Sequence, residues 1–288
     1  MRPDRPFQHE GNGTLGPQTQ GVFSRLAPSY ERMAVLERAT GERLLDMLAV
    51  GPRDFVLDLG CGPGHLTRRI RIRTNGKLVG VDASAGMIAQ ARWHAHGSGI
   101  IFQVKMAEEL DFDRNFNVIF CNSALQWFAS PGRVVDGCYR ALRRGGWLGV
   151  QAPATRQWCS LVRDVMARAA IDSRTSDDFR GFRDPLFFMA TVEEYAALFN
   201  GSGFDVHDAW IERETTRHRP EEALDLLQAM AGAALFNPAC YENGATNSFL
   251  ANLEAVARDT VLAGREGDGL VEVNMHRLYL LAIKPLLA

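Results

Sequence analysis

The sequence predicts an α/β fold: a doubly wound, mostly parallel sheet of seven strands with helical lid insertions after strands five and six. Three observations lead there. Between Phe55 and Ile72 an apolar run, a glycine cluster and a helical stretch follow one another directly, as where a buried strand turns into a helix at a ligand crevice. From there to Gln151, strand-like and helix-like segments alternate, the pattern of parallel strands joined by crossover helices. Beyond Pro153 the alternation breaks over 153–190 and again over 220–265, stretches too long for simple connections.

Composition narrows the classes. At 288 residues, with 46% hydrophobic and 23% charged residues, the chain suits one large domain with insertions. A net charge of −2 shows no footprint for nucleic acid or an anionic membrane. No apolar run reaches bilayer length. The polar stretch Met1–Pro17 lacks the apolar core of a secretory signal. Five scattered cysteines, Cys61, Cys121, Cys138, Cys159 and Cys240, lack zinc spacing or a disulfide framework, so a cytoplasmic location with reduced thiols is expected.

In order, residues 1–21 are expected to be a disordered N-terminus. Residues 22–52 read as an N-terminal helical lid: Phe23, Leu26, Ala27 and Tyr30 at helical spacing, then Val35, Leu36, Leu44, Leu45 and Leu48 up to Gly51-Pro52. Lying ahead of the first strand, it must pack over the sheet's edge or cover the site. Residues 53–152 form the alternating core. Phe55–Leu59 is strand one, Lys77–Asp82 strand two, Ile100–Val104 strand three, Asn117–Cys121 strand four and Trp147–Gln151 strand five. Ser84 is placed to cap the helix Ala85–His94, and Pro131–Leu142 is another helix. The insertion 153–190 holds Arg156, Trp158, a helix near Ser160–Ala170 and the aromatic group Phe179, Phe182, Phe187 and Phe188. Residues 191–219 return to the core through a Thr191/Glu194 capping box and a sixth strand, Phe204–Thr216. Helices near Pro220–Ala234 and Asn247–Leu262 fill the insertion 220–265. Residues 266–288 carry the final strand, Val271–Met275 with Leu278–Ile283.

The glycines fall as Gly60, Gly62 and Gly64, after Asp58. Glycine lets the backbone turn tightly and lie close to a ligand. A dinucleotide fingerprint wants its third glycine where His65 stands, which disfavours an NAD-dependent oxidoreductase. Asp82 ends strand two about twenty residues on, where an acceptor-only carboxylate can bond both ribose hydroxyls.

Val56-Leu57-Asp58-Leu59-Gly60-Cys61-Gly62-Pro63-Gly64 resembles motif I of the class I S-adenosylmethionine (SAM) methyltransferases. The Leu-Arg-Arg-Gly-Gly turn is also similar to that family, and the segment around Tyr30 and the Gln126-Trp127 loop after strand four resemble its malonyl-carrier-protein and trans-aconitate enzymes. The resemblance implies a Rossmann-like fold and SAM as cofactor. It implies cofactor contacts at Tyr30, Asp58, Gly60, Gly62, Gly64, Asp82, Met87, Ala107, Glu108 and Asn122. Met106 stands where the family usually has Asp. Acceptor contacts are expected at Gln126, Trp127, Arg156, Trp158, Phe182, Phe187 and Phe188.

SAM brings its own activated methyl group, so alignment and exclusion of water carry much of the catalysis. His65 and Tyr30 are the candidate catalytic groups, with His276 a further base. No pattern of acids and histidines suggests a metal. The leading expectation is O-, N- or C-methylation of an apolar specialised metabolite, from the aromatic insertions. The alternative is carboxyl O-methylation, which demands a convergent arginine, Arg156 or Arg277. A NAD-dependent oxidoreductase and a non-catalytic SAM-fold assembly factor are weaker readings. The expected partner is a small-molecule substrate, without nucleic acid or membrane, on a monomer or homo-oligomer.

Overall fold

A computed structural model of the chain describes residues 35–286. Tyr30 and the segment 1–21 lie outside the described residues.

Seven strands form one sheet in the order β3-β2-β1-β4-β5-β7-β6. They are β1 (Val56–Leu59), β2 (Leu78–Asp82), β3 (Ile101–Val104), β4 (Phe116–Asn122), β5 (Leu142–Pro153), β6 (Asp205–His218) and β7 (Val271–Ile283). Strands β1 to β5 pair in parallel, and β7 runs antiparallel to both β5 and β6. The strand order reverses between β1 and β4, which opens a crevice at their carboxyl ends. Every residue of β1 is buried, as expected of a strand covered on both faces.

Helices α1 (Val35–Leu48) and α2 (His65–Arg73) cover one face. There Leu44, Leu45, Leu66 and Ile70 pack with Val56, Val118, Phe120 and Tyr279. The described part of the N-terminal helical segment is thus a layer across the middle of the sheet. On the other face, α4 (Pro131–Ala141) and α7 (Val192–Gly201) bring Val134, Val135, Cys138, Tyr195 and Phe199 against Leu57, Ile119, Leu148 and Val150. Helix α3 (Ala85–His94) buries Ile88 and Ala91 against Cys61 and Phe102.

The structure departs from the sequence reading in three places. Strand β5 starts at Leu142, so the Arg143–Gly146 turn belongs to it, with Gly145 at φ 75° and a register shift opposite Phe116 and Val118. Strand β7 is continuous, because β6 pairs with it from His218↔Val271 to Asp205↔Ile283. At α7, Thr191 Oγ1 accepts the Glu194 N–H (3.3 Å), but Glu194 reaches back to the N–H of Ala190 (2.8 Å) rather than to that of Thr191.

The two insertions make one unit. Helices α5 (Ser160–Ala169), α6 (Ser176–Phe179), α8 (Pro220–Leu235) and α9 (Asn247–Ala263) surround a second core. It takes in Trp158, Phe179, Leu253 and Val256, and also Val271, Val273 and Met275 of β7. Leu278, Leu280 and Ala282 of the same strand belong to the first core.

Candidate functional site

The crevice holds a cavity of about 1040 Å³, counting solvent at its mouth, a size suited to small molecules. The end of β1 and its glycine turn form its floor. Gly60, Gly62 and Gly64 all have positive φ, 74°, 53° and 79°, a region costly for residues with a Cβ. Their surroundings differ. A Cβ on Gly60 would stand 2.5 Å from Ala124 Cβ, and one on Gly64 would meet Ala91 and Phe102 at 3.0–3.2 Å. A Cβ on Gly62 would enter open space.

Asp82 ends β2 at the cavity wall. Its Oδ2 accepts the Gly62 N–H (2.9 Å) and its Oδ1 the Ser84 N–H (2.8 Å). Ser84 in turn caps α3, its Oγ accepting the Met87 N–H at 3.2 Å. One carboxylate thus sets the glycine turn and the start of α3. Each of its oxygens has further lone pairs for a ligand's hydroxyls. Burial pushes the Asp82 pKa up, against the lowering effect of the two N–H donors.

Asp58 is 1% exposed and accepts a hydrogen bond from Thr67 Oγ1 at 2.6 Å. Burial raises its pKa to about 7; the Thr67 bond lowers it, and the Asp82 charge adds to the rise. A cationic ligand alongside would favour its ionised form. At the far wall, Ala107 and Glu108 follow β3, and Glu108 Oε1 accepts the Ser130 N–H at 3.3 Å. Asn122 and Ser123 end β4, with Trp127 and Phe128 beyond them.

Of the residues expected at the site, Asp58, Gly60, Gly62, His65, Asp82, Met87, Ala107, Glu108, Asn122 and Trp127 line this one cavity. Tyr30 lies outside the described residues. Gly64 is absent from the lining, because its missing Cβ makes room for α3 and β3. Gln126 sits behind the wall, its Nε2 donating to Ser123 O at 2.9 Å.

The insertion residues go elsewhere. Trp158 stacks on Phe188 at 6.1 Å, and Phe182 stacks on Phe179 at 5.5 Å, all in the second core or packed against it. Phe187 meets Tyr195 edge-on at 6.4 Å and packs on the first core. Arg156 is exposed. Arg277 is 4% exposed, and its Nε donates to Glu214 Oε2 at 2.7 Å, so its charge is already matched. The His276 backbone bonds Trp158 and Ala154; its side chain does not line the cavity. The aromatic count therefore signalled a second core, since large apolar side chains bury wherever a layer covers them.

Sequence reasoning missed Ser123 and Lys105, both on the cavity wall. Lys105 Nζ pairs with Asp111 at 2.8 Å. Ser123 adopts φ 53°, a conformation uncommon for a residue with a Cβ. No local pattern marks it. Among the described residues, no group of His, Cys, Asp or Glu is placed to hold a metal ion, and no helix is long and apolar enough to cross a membrane.

A family profile described as "Methyltransferase domain" matches residues 56–146. A malonyl-[acyl-carrier protein] O-methyltransferase of Acetivibrio thermocellus is 30% identical over 129 residues, 44% of this chain and 46% of that protein. The chain spans about half the length of the first curated relatives it matches. A trans-aconitate 2-methyltransferase of Methylobacterium nodulans is 29% identical over 270 residues, 89% of this chain and 96% of that protein. Among solved structures, the [4+2]-cyclase SpnF superposes with a TM-score of 0.59 at 17% identity, covering 95% of this chain and 99% of its own.

Proposed function

Residues 56–146 are a methyltransferase domain of the class I, SAM-dependent type, and from that premise we propose that the chain transfers a methyl group to a carboxylate oxygen of a small organic acid. The observation that carries the cofactor half is Asp82. It is fixed by two backbone N–H groups at the carboxyl end of β2, faces the cavity and keeps acceptor capacity for vicinal hydroxyls.

The described residues fit SAM. Gly62 leaves open space where a Cβ would stand. Asp58, buried at the cavity wall with a neutral hydroxyl as its donor, suits a positively charged ligand. SAM, when bound, supplies a methyl group on a cationic sulfur. Asp82 would hold its ribose, Met87 and Ala107 the adenine side, and the glycine turn the methionine part. Trp127 and Phe128 would shield the reacting centre from water.

Neither Arg156 nor Arg277 lines the cavity, so the acceptor class rests on the relative aligned over nearly its whole length, which bears the name trans-aconitate 2-methyltransferase. A carboxylate arrives deprotonated at neutral pH, so the transfer requires no base from the chain.

Calorimetric titration with SAM and with NAD, followed by transfer from methyl-labelled SAM to trans-aconitate, tests the reading. SAM binding, no NAD binding and a labelled methyl ester are expected. Binding of NAD without SAM would overturn it. Asp82→Ala removes charged hydrogen bonds worth about 1.5–3 kcal/mol each, so SAM affinity should fall at least about tenfold.

A further inference from the structure

Helix α1 carries a buried glycine in its interior, Gly41. Glycine inside a helix is unfavourable relative to alanine, because it has more backbone freedom to lose. The helical backbone there does not require it, so the reason lies in the packing. A Cβ built on Gly41 would overlap Leu66 Cδ1 and stand 3.0 Å from Leu66 Cδ2 and 3.3 Å from Asn122 Cγ.

Leu66 and Asn122 both line the cavity. They stand at its glycine-turn end. Leu66 lies in the first turn of α2, directly after the glycines, and the turn meets the segment that follows Asn122 where Gly60 faces Ala124. Behind the wall the packing is dense. Leu66 is 6% exposed and clusters with Leu44, Leu45, Val56 and Phe120, while the Asn122 backbone is held in register with β5. A close-packed interior yields little, whereas the cavity is open space that both side chains border. Anything added at position 41 therefore pushes them into the cavity.

We propose that Gly41 is a positioning residue for the cofactor: lacking a Cβ, it lets Leu66 and Asn122 sit back against α1 and so keeps the methionine end of the pocket open. This rests on the methyltransferase reading above, and it adds an element that lies ahead of the methyltransferase domain 56–146 to those that shape the cofactor's place. In Gly41→Ala, Leu66 and Asn122 relieve the overlap by turning into the cavity. Without ligand that relief is nearly free. A bound cofactor needs the same space, so both side chains are forced back onto the new methyl group. The penalty of overpacking then appears in ligand affinity and not in folding.

Calorimetric titration with S-adenosylhomocysteine and thermal unfolding of the ligand-free chain read the two effects separately. Gly41→Ala should weaken S-adenosylhomocysteine by about tenfold or more without lowering the ligand-free transition. In a Leu66→Ala background, which removes both of the carbons that the new Cβ would meet first, the same substitution should change the affinity by less than about threefold. Leu66→Phe should reproduce the loss with Gly41 intact, since α1 blocks its retreat and the added volume enters the cavity; it carries the test if Gly41→Ala does not fold. A merely structural glycine would lower the transition and leave the affinity of the folded protein unchanged. Wild-type affinity in folded Gly41→Ala or Leu66→Phe, or a loss that persists undiminished in the Leu66→Ala background, overturns the proposal. Failure of S-adenosylhomocysteine to bind the wild-type chain overturns the methyltransferase reading itself, and this proposal with it.

Discussion

Single residues of the glycine turn separate cofactor chemistry from packing. Gly62 borders open cavity, whereas Gly64 stands against Ala91 and Phe102. Gly62→Ala should cost little beyond the backbone strain of about 1–2 kcal/mol, yet weaken SAM strongly by filling the ligand's space. Gly64→Ala adds a clash to the same strain and should destabilise by about 2–4 kcal/mol, with a smaller effect on SAM affinity. Urea denaturation and calorimetry on the two variants read the difference, and equal effects would refute it. Asp58 adds a pH dependence. Its pKa of about 7 without ligand should fall when a cation binds beside it, so SAM affinity should drop as pH falls below 7. The loss between pH 8 and pH 6 is about tenfold, and Asp58→Asn should flatten the profile. For stability the sign is opposite. The folded chain holds this proton up to about pH 7 and the unfolded chain releases it near the ordinary aspartate value of 3.8, so this group's contribution is full below that value and is lost as pH rises through 7. Asp58, Asp82 and the glycines were legible because they sit at fixed offsets from a strand end. Ser123 was not, since no local pattern marks a residue with a Cβ for its positive φ at the cavity wall.

Among the elements, β1 to β5 and their helices followed from periodicity and turn residues, each within a few positions except where β5 absorbs its preceding turn. Local sequence decides such elements because each is stabilised largely by short-range patterning and caps. The anchoring of α4 was not visible in this way. Lys284, 142 residues from Leu142, is 7% exposed, and its Nζ donates to the carbonyls of Tyr139 (2.6 Å) and Leu142 (2.8 Å). Those carbonyls lie at the end of α4, where intrahelical partners run out. Burial lowers the Lys284 pKa. Lys284→Met should destabilise by about 1–3 kcal/mol in chemical denaturation by leaving them unpaired. SAM affinity should not change, because this anchor lies at the amino-terminal edge of the sheet, away from the cavity. A large loss of SAM affinity in the folded variant would show that the two ends are coupled.

At the scale of the whole molecule, one strand serves two cores. The first half of β7 packs among α5, α8 and α9, and its second half completes the doubly wound sheet. Trp158, 6% exposed, belongs to the first of these layers. Trp158→Ala should cost about 3–5 kcal/mol of stability, read as a lowered thermal transition. Cofactor affinity of the molecules that remain folded should be unchanged, since Trp158 does not line the cavity. A variant of normal stability with impaired acceptor binding would return Trp158 to the acceptor site.

The sequence alone determined the strand–turn–helix order, the place of Asp58, Gly62 and Asp82 near strand ends, and the helical stretches between the later strands, because each depends on residues close together in the chain. Only the tertiary structure decided that Phe182 and Trp158 build a second core, that Arg277 is matched by Glu214, and that Gln151 stands beside Asn122. These are pairings between distant segments, set by strand order and register, and a linear pattern holds no record of which face meets which.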